Sequence, residues 1–144
     1  MTVKSSPPVH ATTIAIGGHA VIIIGASGSG KSDLALRLID RGAILVSDDY
    51  TSVIAQAGGL WASPPSTIAG RLEARGVGLL DVPYASKAQV RLVIDLDAVP
   101  ERLPDGSHMT MIAGIAIETY ALNGHEASAP IKVEWALKQV MDAQ

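Results

Sequence analysis

Residues 25–32 have the types and spacing of a loop that binds phosphate. They follow the apolar run 21–24, lead into a helical pattern and read Gly25-Ala26-Ser27-Gly28-Ser29-Gly30-Lys31-Ser32, the full context of a Walker A motif. Glycines let successive backbone N–H groups surround phosphate oxygens. Lys31 would meet the β- and γ-phosphates, and the Ser32 hydroxyl would ligate the Mg²⁺ that bridges them. Nucleotide chemistry is the leading hypothesis, and the loop does not identify the phosphoryl acceptor.

Two adjacent carboxylates, Asp48 and Asp49, form the next chemical feature. They follow a short apolar strand that comes after the loop and its helix. In a nucleotide site, one such carboxylate could hold Mg²⁺ or act as a base. Aspartate is also common in the turn at a strand end, because its side chain bonds local backbone N–H groups. Taken alone, the pair leaves both interpretations open.

The spacing of the apolar residues predicts many strands and few helices. One helix follows the phosphate loop and stops at Gly42, and a second begins near Pro130 with Ser128 or Ala129 as its cap. In residues 90–97 polar and apolar residues alternate, which predicts a strand with one wet face. This order favours an α/β domain built on a mixed sheet. The predicted strands are 10–16 and 20–24 joined at Gly17-Gly18, then 43–46, 52–55 paired with 60–62 through Gly58-Gly59, 79–82, 90–97 and 109–117.

Composition excludes several classes of protein. A net charge of −3, an aromatic content of 3% and the lack of any Lys or Arg run argue against a nucleic-acid partner. The sequence has no cysteine, so we expect no disulfide or thiolate chemistry and a cytoplasmic location. No apolar segment approaches the roughly 20 residues that span a bilayer, so we expect no membrane association. Residues 1–8 are predicted to be a flexible leader and residues 9–144 the domain.

The segment Gly70-Arg71-Leu72-Glu73-Ala74-Arg75-Gly76-Val77-Gly78, followed by an aliphatic strand, is a third feature. Together with the phosphate loop and Asp48-Asp49, it resembles HPr kinase/phosphorylase, whose signature has Glu-x-Arg-Gly before a glycine and an aliphatic strand. The resemblance implies the P-loop-containing mixed β-sheet domain of the HPr kinase C-terminal or phosphoenolpyruvate carboxykinase-like type. It further implies a short form that contains only this catalytic domain.

The resemblance also assigns roles to individual residues. Asp48 would be the catalytic carboxylate, which takes the proton of a protein serine hydroxyl and returns it in the reverse reaction. Glu73 would contribute to the metal site with Ser32, and Asp49 is placed with these metal ligands. His10 matches the histidine that opens the family's catalytic domain, although the glycine that usually follows it is alanine here. Arg75 would hold the signature loop or a phosphate.

Near the C-terminus the chain departs from the family pattern. The family has a Gly-Arg-Asn element whose arginine assists catalysis, and the corresponding stretch, predicted at residues 129–134, has no arginine. Lys132 could supply the positive charge of the missing arginine, but a lysine does not bind phosphate through two parallel hydrogen bonds as arginine does.

These features predict an ATP-dependent serine kinase. By resemblance its partner is the phosphocarrier HPr or an HPr-like protein, its cofactors are ATP and Mg²⁺, and its assembly is a hexamer. The same site could phosphorolyse phosphoserine-HPr with inorganic phosphate to give pyrophosphate. Two alternatives remain open: a P-loop kinase of a small metabolite, and a nucleotide-binding regulatory module without transfer activity.

Overall fold

A mixed β-sheet carries the phosphate loop at the end of one of its inner strands. The computed structural model describes residues 3–144. Its elements are β1 (Val3–Ser5), β2 (Thr12–Ile16), β3 (His19–Ile24), α1 (Lys31–Asp40), β4 (Ile44–Ser47), β5 (Ser52–Gln56), β6 (Gly59–Ser63), β7 (Arg71–Ala74), β8 (Gly78–Asp81), β9 (Ala88–Asp95), β10 (Met109–Ile112), β11 (Ile115–Ala121) and α2 (Ala129–Asp142).

Strand pairing makes the sheet mixed, as the sequence predicted. The main order is β1-β5-β6-β9-β3-β2-β4, with β11 also on β9 and β10 on β11. Strand β9 runs parallel to β3 and to β11, and the other pairs of this sheet are antiparallel. Strands β7 and β8 form a separate antiparallel ribbon. Because β3 lies between β9 and β2, the loop that follows it emerges from the middle of the sheet.

Both faces of the inner strands are buried. On β3, Val21 and Ile23 belong to the apolar cluster under α1 and α2, while Ala20 and Ile22 belong to the cluster on the opposite face. Strand alternation produces this division, since successive side chains point to opposite faces. The two clusters hold the β3 end, and therefore the phosphate loop, in a fixed position.

The predicted wet face of residues 90–97 is wrong. Leu92 and Ile94 pack under the helices, whereas Val90 and Val93 pack in the opposite cluster. The alternation is broken because the β3–β9 register shifts between Ala20 and Val21, whose partners are Val90 and Leu92. Arg91 is therefore an extra residue in β9, and such an irregularity changes the face on which the flanking side chains lie.

Two hairpin turns differ from the predictions. Residues 109–117, predicted as one strand, belong to β10 and β11, which are joined at Ala113-Gly114 with φ of 51° and 79°. Strands β5 and β6 turn at Ala57-Gly58, with φ of 55° and 77°, rather than at Gly58-Gly59. Both turns place alanine in the left-handed region that L-residues rarely occupy. The sequence therefore carried a weak turn signal at both points.

The N-terminal segment also differs in part. Val3–Ser5, predicted within a flexible leader, forms β1 and pairs antiparallel with β5, while residues 1–2 lie outside the described residues. Strand β7 was not predicted. The division into residues 1–8 and 9–144 stays a prediction. Within residues 3–144, neither helix has the length and apolar character needed to cross a bilayer.

Candidate active site

The phosphate loop connects β3 to α1 and is shaped by its glycines. Gly28 and Gly30 have φ of 83° and 97°, conformations that other residues rarely adopt. Gly30 is the residue before the helix, so the N-terminal end of α1 faces the ligand side of the loop. A Cβ added at Gly25 would lie 2.5 Å from Oγ of Ser29, which explains why only glycine fits there.

The lysine of the loop is buried and lies against the loop itself. Nζ of Lys31 donates hydrogen bonds to the carbonyls of Gly25 at 2.7 Å and Ala26 at 3.1 Å. An ammonium group has three donors, so one remains for a phosphate oxygen. The loop is also fixed from outside, because the N–H of Ala26 donates to Oδ2 of Asp97 at 2.8 Å. Asp97 was not predicted from the sequence to be a site residue.

Asp48 is the buried anchor of the site. Its side chain accepts hydrogen bonds from Oγ1 of Thr12 at 2.9 Å, Oγ of Ser32 at 2.6 Å and the N–H of Glu73 at 2.9 Å. These donors come from β2, α1 and β7, so the carboxylate joins three elements. The residue is only 6% exposed, and it does not line the neighbouring cavity. Three of its hydrogen-bond acceptor positions are therefore used by protein donors.

Asp49, in contrast to the buried Asp48, has an exposed side chain. Its backbone φ is 68°, and Oδ1 lies 3.1 Å from Nε2 of His10. The N–H of Asp49 donates to Oγ1 of Thr12 at 3.3 Å, which fixes the turn. Both His10 and Asp49 line the cavity beside the phosphate loop. Of the two adjacent carboxylates, Asp49 thus lines the cavity and Asp48 does not.

The ribbon β7–β8 brings the signature residues to the same place. Leu72 and Ala74 are buried, while Arg71 and Glu73 alternate with them on the exposed face. Glu73 thus contributes twice, because its N–H holds Asp48 and its side chain lines the cavity. Arg75, just after β7, lines the cavity as well.

One cavity of about 470 Å³ collects most of the predicted site residues. This volume lies within the range of about 300–1,000 Å³ that is usual for small-molecule sites. Of the predicted residues, Gly25, Ala26, Ser29, Asp48 and Lys132 do not line it. The lining residues are His10, Thr12, Ser27, Gly28, Gly30, Lys31, Ser32, Asp33, Leu36, Asp49, Glu73, Ala74, Arg75, Val77 and His125.

Near the C-terminus, His125 lines the cavity and Lys132 does not. Lys132 lies on α2, and its Nζ pairs with Oε2 of Glu126 at 3.2 Å, so its charge is not brought to the cavity. His125, which the sequence predicts to be an ordinary loop residue, lies among the residues that line the cavity. No local pattern marks His125, because it reaches the site through the loop between β11 and α2.

The donor set is compatible with Mg²⁺ held jointly by protein and phosphate. Within residues 3–144, no group of three or more His, Asp or Glu side chains forms a metal cluster by itself. Ser32, Asp49 and Glu73 nevertheless present a hydroxyl and two carboxylates to one cavity. Mg²⁺ prefers such oxygen ligands and usually takes one or two carboxylates together with substrate phosphates and water.

A mixed sheet with a Walker A loop at an inner strand, and with acidic side chains facing that loop, defines a P-loop nucleotide-using domain. A family model described as the HPr Serine kinase C-terminal domain matches residues 2–133. The chain therefore belongs to this family, and the resemblance found in the sequence is confirmed.

Individual relatives agree with this assignment. HPr kinase/phosphorylase of Streptococcus thermophilus is 39% identical over 122 residues, covering 76% of this chain and 40% of that protein. The Clostridium tetani protein of the same name is 43% identical over 75 residues, covering 52% of this chain and 25% of that protein. The chain thus spans about 40% of the Streptococcus thermophilus relative.

A solved structure confirms the fold class. The structure of the Hpr(Ser) kinase/phosphatase from Coxiella burnetii superimposes with a TM-score of 0.80 at 29% identity. The match covers 93% of this chain and 90% of that chain. The match therefore extends over nearly the whole chain.

Proposed function

We propose that this protein is an ATP-dependent serine kinase that phosphorylates HPr or an HPr-like phosphocarrier. The observation that carries the proposal is the cavity itself. It is lined both by the phosphate loop, with Lys31 and Ser32, and by the exposed pair Asp49 and His10. A triphosphate and a protein hydroxyl can thus meet in one place, which is the main requirement of phosphoryl transfer.

We assign the general base to Asp49. The serine oxygen forms a bond to the γ-phosphorus while the bond from that phosphorus to the oxygen of ADP breaks, and the hydroxyl proton passes to the Asp49 carboxylate. His10 lies 3.1 Å from that carboxylate and orients it. Asp48 has the base role by family resemblance, but its carboxylate is buried, accepts three hydrogen bonds from the protein and does not line the cavity. Its role here is to hold Ser32.

Positively polarised groups of the phosphate loop would balance the negative charge of the bound phosphates. Lys31 neutralises the β- and γ-phosphate oxygens, and the backbone N–H groups at the start of α1 bind them. Ser32 and Glu73 are the residues that would hold Mg²⁺, which leaves the Asp49 carboxylate free to take the proton. Bound Mg²⁺ would neutralise charge that develops on the phosphates. Arg75 also lines the cavity, where a guanidinium can contact the transferred group.

The same residues support the reverse reaction. An oxygen of inorganic phosphate forms a bond to the phosphorus of phosphoserine, the bond from that phosphorus to the serine oxygen breaks, and Asp49 returns its proton to that oxygen. The products are serine and pyrophosphate. The base of one direction is the acid of the other, as microscopic reversibility requires.

The deciding experiment is phosphorylation of HPr followed by intact-mass analysis. The purified protein is incubated with HPr, ATP and Mg²⁺, beside the matched variants Asp49→Asn and Asp48→Asn. We expect one added phosphoryl group with the wild type and a rate lower by about 100- to 10,000-fold for Asp49→Asn, the usual contribution of a general base. Nucleotide affinity of Asp49→Asn should stay close to that of the wild type.

Other outcomes point elsewhere. Wild-type binding of ATP without any phosphorylated HPr would favour the regulatory module. Wild-type rates for Asp49→Asn would refute its assignment as the base. Pyrophosphate released from phosphoserine-HPr and phosphate tests the reverse reaction. The hexamer remains part of the proposal, and light scattering of the purified protein measures its mass.

A further inference from the structure

His125 lies directly against the phosphate loop, although it is 95 positions away from Gly30 in the sequence. A Cβ added at Gly30 would lie 3.1 Å from Cε1 and 3.4 Å from Nδ1 of the His125 ring. Glycine at position 30 therefore lets the imidazole approach the loop where Lys31 begins. Since His125 also lines the cavity, its ring is available to a ligand held by that loop.

Arg37 on α1 holds the loop that carries this histidine. Its Nη1 donates to the carbonyl of Glu126 at 3.0 Å, and its Nη2 donates to the carbonyl of Gly124. These carbonyls lie on either side of His125. The Nε of Arg37 donates to Asp33 at 3.0 Å, which fixes the guanidinium on the helix. One side chain of the phosphate-loop helix thus sets the position of the residue that covers the loop.

The segment is further restrained by its own backbone. The N–H of His125 donates to Oδ1 of Asn123 at 3.0 Å, and Gly124 is buried. A Cβ at Gly124 would lie 2.9 Å from Cδ1 of Leu96, so the backbone packs closely there. The backbone of His125 is therefore restrained while the residue lines the cavity. This combination favours a role in binding a ligand over a role in core packing.

We propose that His125 is a further phosphate-binding residue, which donates a ring N–H to the terminal phosphate of the bound nucleoside triphosphate. Arg37 is its positioning residue. The inference deepens the proposed function and rests on the site's using a nucleoside triphosphate. The terminal phosphate is favoured because the His125 ring lies against Gly30, directly before Lys31, and the lysine of this motif reaches the β- and γ-phosphates.

The test compares ATP with ADP, because only ATP has the terminal phosphate. Affinities for both are measured in Mg²⁺ by displacement of a fluorescent nucleotide from the wild type, His125→Ala and His125→Gln. We expect His125→Ala to weaken ATP by about tenfold or more, the range for a hydrogen bond to a charged group, and to leave ADP unchanged. His125→Gln keeps an N–H donor and should recover part of the loss.

A matched control is His19→Ala, which removes a histidine at the start of β3, the opposite end of that strand from the loop. This control should bind both nucleotides as the wild type does. Equal weakening of ATP and ADP in His125→Ala, or no weakening of either, would overturn the proposal.

The positioning role of Arg37 is tested by combining its substitution with that of His125. Arg37→Ala should reduce the preference for ATP over ADP, and the double variant with His125→Ala should lose no more of that preference than His125→Ala alone. Independent, additive losses of that preference would exclude the positioning role. Since none of these measurements involves HPr, a protein that binds ATP in this way but transfers nothing would refute the proposed kinase and leave this inference standing.

Discussion

Oγ of Ser32 donates a 2.6 Å hydrogen bond to Oδ1 of Asp48, a residue only 6% exposed. This bond joins the phosphate-loop helix to the strand end beside it. The serine is thereby oriented before any ligand binds, and the buried carboxylate serves the fold as well as the site.

Asp48→Asn should therefore destabilise the protein. The amide places an NH₂ group among three donors that need an acceptor, and an unsatisfied buried polar group costs about 1–3 kcal/mol. Urea unfolding followed by circular dichroism measures the change. The neighbouring Asp49→Asn is the control and should stay within about 0.5 kcal/mol of the wild type, as exposed substitutions usually do. Equal stability of the two variants would contradict the different environments of the two carboxylates.

Thr12 connects both aspartates, and its hydroxyl is the second test. It donates to Asp48 at 2.9 Å and accepts from the N–H of Asp49 at 3.3 Å. Thr12→Val keeps the shape but removes both bonds, so we expect a loss of about 1–3 kcal/mol together with slower phosphoryl transfer. Thr12→Ser retains the hydroxyl and should transfer at nearly the wild-type rate. If valine and serine behave alike in the HPr assay, the hydroxyl does not position the acid pair.

Lys31 and Lys132 make a matched pair of cations. Lys31 contacts the loop carbonyls and lines the cavity, whereas Lys132 pairs with Glu126 away from it. Lys31→Met should weaken ATP binding by about tenfold or more, because it removes a charged hydrogen-bond donor. Lys132→Met should leave ATP binding unchanged. Calorimetric titration of both variants decides, and a large loss in Lys132→Met would restore that residue to the site.

Comparing substitutions at Gly28 and Gly30 distinguishes the effect of backbone strain from the effect of steric crowding. Both have φ in the left-handed region, but an added Cβ meets His125 only at Gly30 and finds nothing within 4 Å at Gly28. Alanine at either position should weaken nucleotide binding through strain, and Gly30→Ala should weaken it more. Adding His125→Ala should relieve part of the Gly30→Ala defect specifically. ADP affinity is the measurement. If both glycine variants lose the same ADP affinity, and His125→Ala does not change the loss, the close contact between Gly30 and His125 is contradicted.

The phosphate loop could be predicted from sequence because its residues are contiguous and largely determine their own conformation. Glycines at 28 and 30 supply the positive φ that the loop needs, and the lysine and serine follow directly. The first helix and its stop at Gly42 were equally local. The family signature fixed the fold class for the same reason, since its residues are close in the chain and recognisable together.

The separation of Asp48 from Asp49 could not be predicted in this way. The two residues are adjacent, yet one lies inside among donors from β2, α1 and β7, and the other turns outward with φ of 68°. The faces of β9 were misassigned for a related reason, because the extra residue Arg91 depends on pairing with β3. The partners of a strand, not its own pattern, set these orientations.

By itself, then, the sequence determined the nucleotide loop, the mixed α/β class and the family. Only the tertiary structure decided that Asp49 and not Asp48 lines the cavity, that Lys132 pairs with Glu126 and does not line it, and that Arg37 holds the loop that carries His125. The physical reason is distance along the chain. Local motifs are encoded by neighbouring residues, whereas contacts between residues 30 and 125 exist only once sheet pairing and helix packing bring the β11–α2 loop to the end of β3.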